Sequence, residues 1–329
     1  MVNKFISRLK SFFGGKKKMP PKNEVIIDNW LERRRNATTT ESMEWSSYQG
    51  KGTNAIKSTD TQAVTDKHEP QTAELLPRSV VEKLRRCRKS QQGRPISRST
   101  IPEKFLSGKV YVHCIYAATT GWSPKSKDRV YACLCEAEEW LKKEVGRYNG
   151  HIDFKNGMSG YEENIDLMVH GYSKFADSHA AEKALKLIGH ENIDSFSNWA
   201  RETHGCDHCI IILFTRCPGR SYASGQEYKI GNRYYNGHCV CCVKSRNGYP
   251  LYASSVAHEI LHCFGAKDLY QTGNKPAEVV ELAEKMYSGE IMINTKSNIN
   301  ENHISEFTAW CVGLSDAWKE EFRIFLKKK

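Results

Sequence analysis

The sequence predicts an α+β fold: a mixed twisted sheet with helices packed on it, an internal helix that carries chemistry, and a C-terminal helical subdomain. Three observations predict it. Near residue 107 the texture changes from a polar stretch without sustained period to alternating and apolar segments. Those segments run strand, helix, strand, helix, strand, strand, helix, an order that suits a sheet covered by helices. The stretch HEILHCFGAKD, residues 258–268, then sets two histidines one helical turn apart in an apolar context.

Residues 1–106 carry 22 Lys+Arg against 11 Asp+Glu, whereas residues 107–329 carry 27 of each, so the whole formal charge of +11 belongs to the leader. A charge confined in this way makes nucleic acid an unlikely partner of the domain. The leader has few aliphatic runs and many Thr, Ser, Gln and Pro residues, and a basic, largely flexible segment is expected. Within it, Phe5, Ile6, Leu9, Phe12 and Phe13 follow helical spacing opposite Lys4 and Arg8. An amphipathic helix over residues 1–18 could lie on an anionic membrane or serve in targeting; docking on its own protein is the competing reading. SVVEKLRRCRKSQQGR is expected to be a solvated basic helix.

In the domain, KVYVHCIYA alternates and is β-branched and aromatic, which predicts a strand. Val130, Leu134, Ala137 and Leu141 predict a helix after it. NIDLMVHGY is the next strand candidate and SHAAEKALKLIGH the next helix. CIIILFTR, almost continuously apolar, suits a buried strand. PGRSYASGQEY precedes a further strand, HCVCCVKS, in which cysteines act as small hydrophobes, and then comes the histidine-bearing helix. At the end, Trp318, Phe322 and Phe325 form a stripe expected to pack on the domain.

The N-terminus has no continuous apolar stretch or small-residue cleavage site, and no run approaches the ~18–20 apolar residues of a spanning helix. The expectation is a protein that is cytoplasmic or delivered into a cell, with its 12 cysteines reduced.

On a helix, His258 and His262 stack on one face and converge on one ion. Neutral imidazole suits zinc, and a catalytic site needs three protein ligands plus an open position. Glu259 projects beside the pair, placed to take a proton from a zinc-activated water. Gly265 can end the helix in a left-handed conformation and turn the chain back, returning Asp268 as third ligand. One catalytic Zn2+ is therefore expected. The plain alternative, in which the two histidines are core residues and Glu259 a surface partner, leaves Gly265 and Asp268 unexplained.

The pattern His258-Glu259-x-x-His262-x-x-Gly265-x-x-Asp268 resembles the metzincin zinc peptidases, and with Asp in last place it is similar to the snapalysin-type subgroup. The resemblance implies a zincin/metzincin-like fold for residues 107–329. It also implies a methionine turn beneath the metal, supplied by Met292, and an edge strand that binds substrate, supplied by Arg220, Ser221, Tyr222 and Ala223. Many members place a Tyr two residues after the methionine. Here that residue is Asn294, which leaves Tyr270 and Tyr287 as candidate proton donors.

The function expected is a zinc-dependent endopeptidase acting on a polypeptide substrate. The alternatives are a catalytically silent metal-binding scaffold and a non-peptide zinc amidase. Two weaker signals remain. Cys206-x-x-Cys209, flanked by His204 and His208, is a metal knuckle only if a second ligand pair exists; without one it is a turn into the next strand. Cys87, among basic neighbours, is an inert thiol or a switch that blocks the zinc.

Overall fold

The computed structural model describes residues 25–26, 106–117, 121–160, 165–171, 179–225, 235–271 and 275–326. The amphipathic segment at residues 1–18, the basic stretch 79–94 and Cys87 lie outside them. Six strands form one sheet: β1 (Val25–Ile26), β2 (Gly108–Ala117), β3 (Ile152–Ser159), β4 (His208–Thr215), β5 (Tyr222–Gly225) and β6 (Tyr235–Cys242). Their spatial order is β1-β3-β2-β4-β6-β5. The four inner strands run parallel, and β1 and β5 close the two edges antiparallel.

Side chains leave a strand on alternating faces, and each face builds its own core. From β2, Val110, Val112, Cys114 and Tyr116 join one cluster, and Tyr111, Ile115 and Ala117 join the other. From β4, Ile210, Ile212 and Phe214 face the first, and Cys209, Ile211 and Leu213 the second. Burial on both faces is why β4 is apolar throughout.

The front face is covered by α1 (Pro124–Arg147) and α4 (Ala253–Cys263), the back by α2 (Ala180–Leu187) and α3 (Ile193–His204). Ser123 caps α1, its hydroxyl accepting from the Ser126 amide at 3.2 Å, with Pro124 in the first turn. Asn192 and Ser195 form a reciprocal capping box on α3, which Gly205 ends in a left-handed conformation at φ 63°. Among the described residues no helix is long and apolar enough to cross a membrane.

Beyond α4 lie α5 (Ala277–Met286), α6 (Glu306–Cys311) and α7 (Phe322–Leu326). The expected aromatic stripe packs inward: the Trp318 ring lies 4.9 Å from Trp310, and Phe322 and Phe325 lie 5.4 Å and 5.3 Å from Phe307.

Two expectations require correction. The described part of NIDLMVHGY, residues 165–171, is not a strand; Ala117↔Ile165 is an isolated bridge. Ile165, Leu167 and Val169 are buried on the back core while Met168 is exposed, so the alternation reports half-burial rather than ladder pairing. The strand beside β2 is instead β3, whose sequence IDFKNGMS carries Asp153 and Lys155 at exposed positions and Asn156 at a half-buried one. The helices α3 and α5 are additional to those expected.

Candidate metal centre

The helix α4 is apolar along the side that meets α1 and the sheet, and it holds His258 and Glu259 buried at its middle. The rings of His258 and His262 lie 4.8 Å apart and nearly perpendicular, at 88°. Neither is left to rotate. The Nδ1 of His258 lies 3.0 Å from the Ile291 carbonyl, and the Nδ1 of His262 lies 2.9 Å from the Ala266 carbonyl. A carbonyl can only accept, so in each neutral ring Nδ1 carries the proton and Nε2 keeps its lone pair. Both Nε2 atoms point at the Asp268 carboxylate: Oδ1 stands 3.4 Å from His258 and 2.9 Å from His262.

The turn that delivers Asp268 depends on Gly265, which takes φ 103°. A Cβ there would also stand 3.3 Å from the Cys311 carbonyl, so glycine satisfies both the conformation and the space. After it, the Ala266 amide bonds the Leu261 carbonyl and the Leu269 amide bonds the Met292 carbonyl at 2.9 Å. The turn containing Met292 thus grips both sides of the site, with Ile291 orienting His258 and Met292 anchoring the residue after Asp268. Beneath it, the buried Glu290 accepts from the Met292 amide, the Ser305 amide and the Thr308 hydroxyl. Met292 itself is wholly buried.

Electrostatics follow the geometry. Burial pushes the Asp268 carboxyl up, but when each Nε2 carries a proton in place of a metal the His258 and His262 rings donate to it, which outweighs burial and holds the group well below the usual carboxylate range. Burial lowers the His258 imidazole, and the Asp268 bond with the Glu259 and Asp268 charges raises it overall. Burial, then the Asp268 carboxylate, raises the Tyr270 phenol, which stays protonated and able to donate.

The donor set fits a cation. One atom each from His258, His262 and Asp268 lies within 4.8 Å of the others, the one such cluster among the described residues. Around a tetrahedral ion with bonds of about 2.0–2.2 Å, ligand atoms stand roughly 3.3–3.5 Å apart. The His258–Asp268 distance of 3.4 Å meets that, and the His262 contact at 2.9 Å is slightly shorter. Two imidazoles with a carboxylate suit a divalent transition metal.

Glu259 and His258 line a cavity of about 580 Å³ that also meets Arg220, Ser221, Tyr270, Asn294 and the loop before α4. The edge strand β5 runs beside α4, as the sequence suggested. Arg220 and Ser221 reach the cavity, whereas the Tyr222 and Ala223 side chains are buried in the back and front cores, leaving only their main chain for a ligand. Tyr270 is the tyrosine at the site: its ring lies 6.0 Å from His258, and its hydroxyl accepts from the Arg220 guanidinium, which sits 5.2 Å from the ring centre. Tyr287 is elsewhere, packed 5.7 Å from Phe325.

Cys206 lies in the turn between α3 and β4 and Cys209 lies within β4, both buried. Sequence reasoning missed the carbonyls of Ile291 and Ala266, since a main-chain acceptor leaves no mark on residue identity. It also missed Arg246, exposed on the loop before α4 and lining the cavity.

Neither a protein-family model nor a curated protein matches the chain. Among solved structures it is similar to metalloproteinase-II from Bacteroides fragilis, at 16% identity and a TM-score of 0.35, with 67% of this chain and 55% of that chain covered. It is also similar to OgpA from Akkermansia muciniphila, at 13% identity and a TM-score of 0.36, with 69% and 66% covered. The chain spans between about half and two-thirds of those two proteins. The site's own residues, not these distant likenesses, define its chemistry.

Proposed function

We propose that the chain is a zinc-dependent endopeptidase of the zincin/metzincin kind. The observation that carries the reading is the pair of imidazoles whose Nδ1 atoms face backbone carbonyls while their Nε2 atoms converge on Asp268. His258, His262 and Asp268 would hold the ion. A divalent zinc bound there supplies Lewis acidity toward a carbonyl oxygen and lowers the pKa of water to about 7.

The remaining roles belong to the protein. Glu259, buried beside His258, acts as general base toward water and returns the proton to the departing amine. An extended polypeptide lies along the outer edge of β5 through main-chain hydrogen bonds, because β6 occupies only one side of that strand. Tyr270, kept protonated, donates toward negative charge that develops on the carbonyl oxygen. The Met292 turn and Glu290 keep the imidazoles in register and take no part in proton transfer.

The test is cleavage profiling of a peptide library by the zinc-loaded full chain and its Glu259→Gln variant. Cleavage by the first and not the second, with equal metal content, supports the reading. Equal cleavage by both, or none by either, overturns it.

A further inference from the structure

The cavity beside Glu259 has an uneven charge. Among its lining residues Glu259 is the sole carboxylate, while Arg220 and Arg246 bring two guanidiniums. Hydroxyl and amide side chains from Ser221, Ser245, Asn247, Ser255, Asn294 and Thr295 also line the wall. We propose that this cavity is an anion-selective side-chain pocket, in which Arg246 and Arg220 read a negatively charged side chain of the polypeptide close to the bond that is cut. The proposal rests on the peptidase reading and deepens it by naming a substrate class.

The backbone holds both cations at the wall. The Arg246 amide bonds the Gly219 carbonyl at 3.2 Å, and the Gly219 amide bonds the Lys244 carbonyl at 3.1 Å, so the loop before α4 is laced to the residue that precedes Arg220. That loop is closed on itself. The Ser245 amide bonds the Tyr249 carbonyl at 2.7 Å, the Ser245 hydroxyl accepts from the Tyr249 amide at 3.1 Å, and Gly248 takes φ 83°. Arg220 is steadied by Tyr270, whose ring it covers. Guanidinium is the cation suited to this task, because its planar fork meets a carboxylate or a phosphate with two parallel hydrogen bonds. A lysine side chain entering the same cavity would meet two like charges, with Glu259 the one carboxylate among the described lining residues.

Carboxylate and phosphate monoester share this chemistry, and the experiment separates them. Peptides of one backbone carry Glu, phosphoserine, Gln, Ser or Lys at each position in turn. Two quantities are measured: kcat/KM with the zinc-loaded full chain, and fluorescence-anisotropy binding to the zinc-loaded Glu259→Gln protein. At one position the anionic peptide is expected to exceed its neutral counterpart on the order of tenfold, mainly through KM, with the advantage shrinking as salt rises. Arg246→Gln brings that ratio close to one, Arg246→Glu places the Lys peptide above the Glu peptide, and Arg246→Lys, which keeps the charge and loses the fork, falls between. Thermal melts of each variant confirm folding. Glu above phosphoserine assigns a carboxylate pocket, and the reverse assigns a phosphate pocket. Cleavage with no anionic preference, or a preference that Arg246→Gln and Arg246→Glu leave unchanged, overturns the proposal while the peptidase reading stands. Selective binding of anionic peptides without cleavage overturns the peptidase reading and leaves the pocket standing. Neither binding nor cleavage overturns both.

Discussion

Two groups of histidines lie on opposite sides of the same sheet, and they differ in what their nitrogens face. On the back, His113 is wholly buried, with Nδ1 3.0 Å from the Tyr111 hydroxyl and Nε2 3.0 Å from the Ser159 hydroxyl. Around it, His190 and His204 pack edge-on or stacked against Phe196, Trp199 and Tyr111. On the front, one nitrogen of each histidine faces a carbonyl and the other faces a shared carboxylate, and His258 also lines a cavity. Burial alone does not mark a metal site. The mark is a pair of rings with one nitrogen each satisfied by a pure acceptor and the other converging on a third donor atom.

The comparison breaks most visibly at Glu259. Glu259→Gln is expected to lower peptide hydrolysis by about 10²–10⁴-fold with metal content unchanged, measured by initial rates and elemental analysis. Asp268→Ala should weaken zinc binding by at least about 100-fold, read by competition with a chromogenic chelator. It should also abolish the rise in Tm that zinc gives the unaltered chain, since only a ligand bound to the folded state stabilises it. The back cluster predicts the opposite pattern. His113→Ala should cost about 2–4 kcal/mol in denaturant unfolding, leaving buried hydroxyls without their partner, and should leave zinc affinity unchanged.

Smaller effects sharpen the contrast. Gly265→Ala forces an L-residue into φ 103° and should cost about 1–3 kcal/mol, with zinc affinity reduced because Asp268 shifts. The front layer also holds a carboxyl in the reverse situation to Asp268. Glu138 is buried against β3, accepts from the Asn156 amide at 2.8 Å, and is pushed by burial up to about 8. Its folded pKa lies above the ordinary 4.5, so the folded state binds more protons through that window. The stability it contributes is full below about 4.5 and is lost as pH rises through about 8. Glu138→Gln should therefore narrow the drop in Tm between pH 5 and pH 8, compared with the unaltered chain by calorimetry.

The convergence of the candidate ligands was legible because a helix is local. His262 lies four positions after His258, and a glycine three residues on marks the turn, so pattern and geometry coincide over a short stretch. Strands β2, β4 and β6 were legible because both faces are buried and their sequences are apolar. By contrast, β3 was hidden by Asp153, Lys155 and Asn156, which occupy its less buried positions. The extended run 165–171 imitated a strand because apolar residues alternate wherever one side of a chain is covered. For α3, the Asn192/Ser195 box lacks the acidic partner of the commoner signal, although Gly205 at its end was available. The cavity draws its wall from separate stretches around Arg220, Arg246, Glu259, Tyr270 and Asn294, and no local period links them.

The central claim is one divalent ion held by two imidazoles and a carboxylate. X-ray absorption at the zinc edge, on chain purified without added chelator and assayed for metal content, tests it most directly. The account predicts about one zinc per chain, two imidazole nitrogens and a carboxylate oxygen at about 2.0–2.2 Å, no sulfur, and loss of the signal in Asp268→Ala. Sulfur at about 2.3 Å, or zinc retained unchanged in Asp268→Ala, would contradict it.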